Sequence, residues 1–366
     1  MTSITVGLIP APGMSRTLIE EIIDDLPQFA EEFVDKSCTF KFEIEVSPLA
    51  SSAEYINETI HRIVKIKENN GWDYVIGVTD LPSLSENRVV VSEFDSQKSV
   101  SLLSLPALGF FYVKRKLKRM VTHHLEYLYE YNKDSISFQS TELSTPTVMN
   151  ISRETPIEDN ESTNRYIIKS YIIGWLKIIL GMTYINEPWS IVTNFKTLVS
   201  LAFATGTYVA IFSTPWELSI DYQPWRLIAL MLFSITGMVL WLIYAHKLWE
   251  KSSAKTAAHY RWLYNLTTFM TLLFVSVANY GILFILLTIS VSMFVPPEIF
   301  NEWTRADENF TIMNYINLIW FTTSLGILAG ALGSTAESED KVRSVTYSYR
   351  QRYRYNKLQE EDENSN

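Results

Sequence analysis

The chain has 366 residues, with 40 Asp and Glu against 31 Lys and Arg and a formal net charge of -9. That length suggests about two folded units, and the acidic balance excludes a protein that grips nucleic-acid phosphates with a basic surface. The single cysteine, Cys38, excludes an internal disulfide or a multi-thiolate metal site; it reads as a small apolar residue beside a strand.

Mean hydropathy is only +0.05, an average over a charged, mixed first half and an apolar stretch at 198–334. The first residues lack the basic start and sustained apolar run of a signal peptide, so the first domain is expected to stay on the side where it is made. Residues 4–9 read as a short apolar strand closed by Pro10, Pro12 and Gly13. Ser15 is a plausible cap for a helix with Leu18, Ile19, Ile22, Ile23 and Leu26 on one face. Phe40, Phe42, Ile44 and Val46 alternate with Lys41, Glu43 and Glu45, the period of a half-buried strand. Ile56, Ile60, Ile63 and Val64 return to helical spacing. Strands follow at 72–78, 89–94 and 100–105, then a long helix at 110–131. Alternation of strands and helices predicts an α/β domain over 1–132 with a mostly parallel sheet.

The apolar stripe of the long helix holds Val113, Leu117, Met120, Val121, Leu125 and Leu128. Lys114, Arg115, Lys116, Lys118 and Arg119 crowd its first half. Packing on the sheet is the expected role, and a basic face on anionic lipid is the alternative. His123, His124 and Glu126 do not have the HExxH spacing of a zinc protease. Adjacent helical side chains point about 100° apart, so two partly exposed polar side chains and no metal site are expected.

Residues 133–164 are rich in Ser, Thr, Asn and acids and read as a polar linker. Residues 165–194, with Lys169, Lys177, Trp175 and Trp189, read as an amphipathic helix lying at a membrane interface, with an additional span as the alternative. An all-α transmembrane bundle of about four helices is predicted over 195–334, with spans near 195–216, 225–249, 265–295 and 313–333. The third is longer than a bilayer requires. Pro215, Pro224, Pro296 and Pro297 act as breakers outside the span cores. A cytosolic tail closes the chain at 335–366.

Cations cluster at Lys247, Lys251, Lys255 and Arg261, in the tail from Lys341 to Lys357, and before the first span at Arg165, Lys169, Lys177 and Lys196. Residues 214–224 carry none and 296–312 only Arg305. Positive loops stay inside, so both termini and the α/β domain are expected to be cytoplasmic, in the cell membrane. The spans hold almost no ionisable groups, which counts against a proton-coupled pump. Asn279 is the most polar central residue and is expected to bond a neighbouring helix. Gly326 and Gly330 form GxxxG, and Gly333 extends a close-packing face with Ala329. Packing inside the bundle is favoured there, with a homo-oligomer through the last span as the alternative.

Asp80 and Thr79 end a strand, where open α/β sheets bind ligands. The loop at 10–15, with Gly13 and Ser15, opens a helix whose N–H groups suit an anion. The plainer reading is a capped turn before Pro82. No dinucleotide fingerprint, Walker A or nucleophile elbow is present. No cofactor and no catalytic residue are therefore assigned, and the small-molecule ligand is unidentified.

Four stretches carry a family resemblance: WDYVIGVTDLP at 72–82; SVSLLSLPALG at 99–109; PWR at 224–226 with AHKLWE at 245–250; and GALGS at 330–334 with YRQR at 349–352. Together they resemble a family of uncharacterised polytopic membrane proteins from Gram-positive bacteria, over nearly the whole chain except 133–164. Some of its members carry a methylenetetrahydrofolate dehydrogenase label, to which no motif in this sequence corresponds. The strand order is also similar to archaemetzincin-like zincins, and the departure at 123–126 then implies an inactive relative. The resemblance implies no activity; a domain without catalytic motifs joined to spans almost without ionisable residues reads instead as a non-enzymatic membrane protein whose cytosolic domain senses or binds and whose bundle anchors it or passes on a signal. A transporter or channel component with a polar cavity near Asn279, and an enzyme using Asp80 with the loop at 10–15, are the alternatives.

Overall fold

The computed structural model describes residues 2–47, 56–85, 87–133, 151–154, 163–250, 258–304, 312–333, 342 and 346. The chain forms two compact units that meet in sequence at Ile185 and Asn186. Much of the polar linker, the loop cations Lys251 and Lys255, Arg305, and nearly all of the tail lie outside the described residues.

The first unit runs β1 (Thr2–Pro10), α1 (Met14–Ile22), α2 (Leu26–Phe33), β2 (Cys38–Ile44), α3 (Ile56–Asn70), β3 (Tyr74–Thr79), β4 (Ser83–Ser85), β5 (Arg88–Asp95), β6 (Val100–Ser104), α4 (Val113–Lys133), β7 (Ile151–Glu154), β8 (Thr163–Ile168) and α5 (Tyr171–Ile185). The sheet order is β2-β1-β3-β6-β5-β8-β7, with β4 paired to β5. Side chains alternate across it. Val75, Val100 and Leu102 join Ile60 and Ile63 of α3 in one core, while Tyr74 and Ser101 face α4 through Tyr129 and His124.

The sheet is mixed rather than mostly parallel. Only β2, β1, β3 and β6 run parallel; the β5, β8, β7 and β4 pairings are antiparallel. The reason is connection length. Only residues 96–99 separate β5 from β6, whereas a parallel crossover needs about a dozen residues or more. The expected linker contains β7 and the first two residues of β8; the rest of β8 lies at 165–168, where the sequence predicts the start of an interfacial helix. Their register is held by an ion pair across the sheet, Arg165 Nε to Glu93 Oε1 at 2.6 Å, which local composition does not reveal.

Helix α5, expected at a membrane interface by itself, buries one face on the α/β unit. A Cβ on Gly181 would overlap the Pro106 carbonyl, so only glycine permits this approach to the 3-10 turn Leu105–Leu108. Trp175 Nε1 donates to the Asn87 carbonyl at 3.1 Å.

The second unit holds α6 (Pro188–Val192), α7 (Lys196–Ala210), α8 (Ser213–Asp221), α9 (Pro224–Ala245), α10 (Ala258–Phe294), α11 (Pro297–Thr304) and α12 (Ile312–Gly333). Among the described residues three helices, α9, α10 and α12, are long and apolar enough to cross a membrane, or four spans if the bent pair that ends in α8 is one. Their outward side chains are apolar as well: Phe233, Ile285 and Met293 are all exposed. An apolar outward surface on helices of this length suits lipid, not water. The expected first span is bent instead. Helical residues Pro188–Ala210 turn by 87° into α8. Pro215 has no N–H to bond residue 211, so a helix cannot run straight through this point, and Pro215 sits in the first turn of α8. Pro224 and Pro297 likewise open α9 and α11.

Candidate functional site

The four site residues expected from the sequence converge at the carboxyl edge of β1 and β3. Strand β1 lies between β2 and β3. Its own crossover leads to β2 on one side, and the α3 crossover returns to β3 on the other. This divergence is the topological switch point at which open α/β sheets place ligands. The chain leaving β1 is anchored by Ala11 N–H to the Val78 carbonyl at 2.7 Å. Gly13 then takes φ 110, outside the comfortable range of L side chains, and α1 begins. The Gly13 carbonyl accepts from Thr17 N–H at 3.1 Å, closing the first helical turn.

Asp80, 1% exposed, occupies the start of that helix. Its Oδ1 accepts the Ser15 N–H at 3.1 Å and also the Ser15 hydroxyl. The anion at this helix N-terminus is thus supplied by the chain itself, and both the N–H orphan and the helix dipole are satisfied. Thr79 Oγ1 accepts the Leu81 N–H at 3.1 Å, and Ser104 Oγ donates to the Leu81 carbonyl at 2.8 Å, which fastens the turn before Pro82. Sequence reasoning picked out Asp80, Thr79, Ser15 and Gly13, but not Ser104. A serine ending a strand carries no local signal of which loop it holds.

The two histidines diverge as helical spacing requires, but both are buried rather than partly exposed. His123 Nε2 lies 3.1 Å from Tyr166 Oη, and His124 Nδ1 lies 3.1 Å from Ser101 Oγ with its ring 4.5 Å from Phe94. Tight packing on β5, β6 and β8 encloses them. Burial, then the His123 charge, holds the His124 imidazole well below its ordinary pKa. Among the described residues no three His, Cys, Asp or Glu side chains gather as metal ligands. Cys38, buried at the start of β2, lies 3.5 Å from Tyr129 Oη, which donates to Asp35 at 2.7 Å.

In the second unit the small-residue face is used within the chain. A Cβ on Gly326 would stand 2.7 Å from the Ala202 carbonyl oxygen, and one on Gly330 2.7 Å from that of Leu198. Gly333 faces Leu201. Helix α12 thus meets α7 backbone to backbone. Asn279 is fully buried, and neither amide atom has a hydrogen-bond partner among the described residues. Ser276 Oγ, one turn earlier on α10, is in the same position. Among the described residues, the Asn279 bond expected to a neighbouring helix is not formed.

No family model, curated protein or solved structure matches this chain.

Proposed function

We propose that the chain is a multi-pass cell-membrane protein of the Gram-positive family it resembles, with both termini cytoplasmic. Its α/β unit is a non-enzymatic sensing or binding module, and the bundle anchors it. The orientation rests on the cation-rich flanks of the apolar helices. The observation that carries the binding site is the buried Asp80 carboxylate at the β1/β3 switch point. That carboxylate also selects the ligand's chemistry. An anion would meet Asp80 at close range in a poorly hydrated edge, so the site favours a polar ligand that donates hydrogen bonds, such as an amine or polyol, over a phosphate.

The test is thermal unfolding of the full chain in detergent against panels of amines, polyols and nucleotides. A ligand at a hundred times its dissociation constant adds about 2.7 kcal/mol, or roughly 5–10 °C for a unit of this size. A donor-rich ligand is expected to give such a shift, and Asp80→Asn to abolish it. The proposal fails if only nucleotides shift the transition, or if nothing does at millimolar concentration.

A second reading, a transporter or channel component, is favoured by Asn279 and Ser276 in the bundle interior, which have no hydrogen-bond partner among the described residues. It predicts that Asn279→Leu abolishes an uptake or efflux phenotype that deletion of the protein also abolishes.

A further inference from the structure

Helix α5 has no polar side to give to water. Its sheet-facing residues Ile178 and Met182 are buried, yet on the other side Ile172 is 77% and Leu176 55% exposed. Large apolar residues that line up one turn apart on a surface mark a contact with protein or lipid. Beside this stripe runs the approach to α4. Gly109 lies against the Lys177 side chain, and the Phe110 ring meets that of Tyr184 at 5.6 Å. The next two residues project outward: Phe111 is 67% and Tyr112 79% exposed. Tyr112 adopts φ 55, a costly conformation for an aromatic residue, and no packing within the unit offsets it.

Charge completes the pattern. Residues 105–125 carry five Lys and Arg and residues 169–186 two, with no Asp or Glu in either, although the whole chain has net charge -9. Lys114 and Lys118 are paired with Glu21 and Asp25. Lys116, whose Nζ donates to the Leu108 carbonyl at 2.8 Å, and Lys177 are half-buried neighbours; burial, then the Lys116 charge, weakens the hold of Lys177 on its proton. An anion placed between them relieves both penalties. Aliphatic residues, exposed aromatic rings and a lysine pair match the depth profile of an anionic leaflet, from acyl boundary to headgroup phosphate. Covalent continuity favours lipid as the occupant, because only Asn186 and Glu187 separate α5 from α6, the start of the apolar unit.

We propose that the α/β unit docks on the headgroup region of an anionic leaflet through Ile172, Leu176, Phe111 and Tyr112, with Lys116 and Lys177 donating to lipid phosphate. The docking rests on the bundle lying in the same membrane, so the test reports on both. The full chain, in a Cys38→Ala background, carries a single NBD-labelled cysteine as Ile172→Cys, Lys41→Cys on the distant β2 strand, or Leu232→Cys on the outward face of α9. It is reconstituted in nanodiscs of phosphatidylglycerol and phosphatidylcholine containing spin-labelled lipid.

The expected result is quenching at 172 and 232 and none at 41. Replacing Lys116 and Lys177 by Gln should shift the docked-to-undocked ratio by about fivefold per lysine. Quenching at 232 with 172 no different from 41 overturns the docking alone. No quenching at 232 overturns the membrane reading on which it rests. A 172 probe shielded from aqueous iodide but not quenched by lipid means that protein covers this face, which also refutes the proposal.

Discussion

Replacing Asp80 by Ala tests whether the carboxylate holds α1 in place. The substitution removes the acceptor for two buried donors, the Ser15 N–H and the Ser15 hydroxyl, at a residue with no solvent exposure. Each donor left unpaired costs about 1–3 kcal/mol, and loss of the anion at the helix N-terminus adds about 0.3–1 kcal/mol. The sum is on the order of 4 kcal/mol, set against the ~5–15 kcal/mol that holds a domain folded. Asp80→Asn keeps a carbonyl acceptor and should cost about half as much. Ser15→Ala removes one donor, so a double-mutant cycle with Asp80→Ala should show a coupling of about 1–2 kcal/mol. Hydrogen–deuterium exchange of the full chain in detergent, read on peptides covering 14–22, measures the effect where it arises. Protection of α1 is expected to fall roughly a thousandfold in Asp80→Ala, at about 1.4 kcal/mol per tenfold. Protection within twofold of the parent would refute the capping role.

Three further outcomes follow from the packing. Gly330→Val should lower the unfolding temperature of the bundle, since its Cβ enters the space of the Leu198 carbonyl, at about 1–3 kcal/mol or more. Gly281→Ala, where a Cβ meets nothing within 4 Å, should not; equal effects would mean that α12 does not lie against α7 as described. Asn279→Leu should stabilise the bundle by about 1–3 kcal/mol, because it removes an unpaired buried amide. A fall in thermal stability would show that the amide is hydrogen-bonded. Finally, His124 stays neutral when folded but takes up a proton near its ordinary 6.5 when unfolded. Its contribution is constant above about pH 7.5 and declines as pH falls below 6.5, at up to about 1.4 kcal/mol per pH unit. His124→Leu should flatten that acid-side slope in urea titrations, and an unchanged slope would place its origin elsewhere.

Local chemistry determined a good deal of this protein. Apolar run length alone marked α9, α10 and α12, because membrane compatibility depends on composition over about 20 residues. Period-two alternation marked β2, and Pro224 marked the start of α9, whereas α11 was not expected at all. Asp80 and Ser15 were legible as candidates because each ends or follows a strand. Only the tertiary structure decided that they bond each other, 65 positions apart in sequence. It also decided the antiparallel half of the sheet, where β8 pairs with β5 across the Glu93–Arg165 bridge. A strand such as β8, carried by Asn, Arg and Tyr, reads as the end of a linker and the start of a helix until its ladder partner is present. The same holds for α5. Its sequence is apolar all round, and whether each face meets sheet or lipid depends on what is packed against it, which no periodicity records.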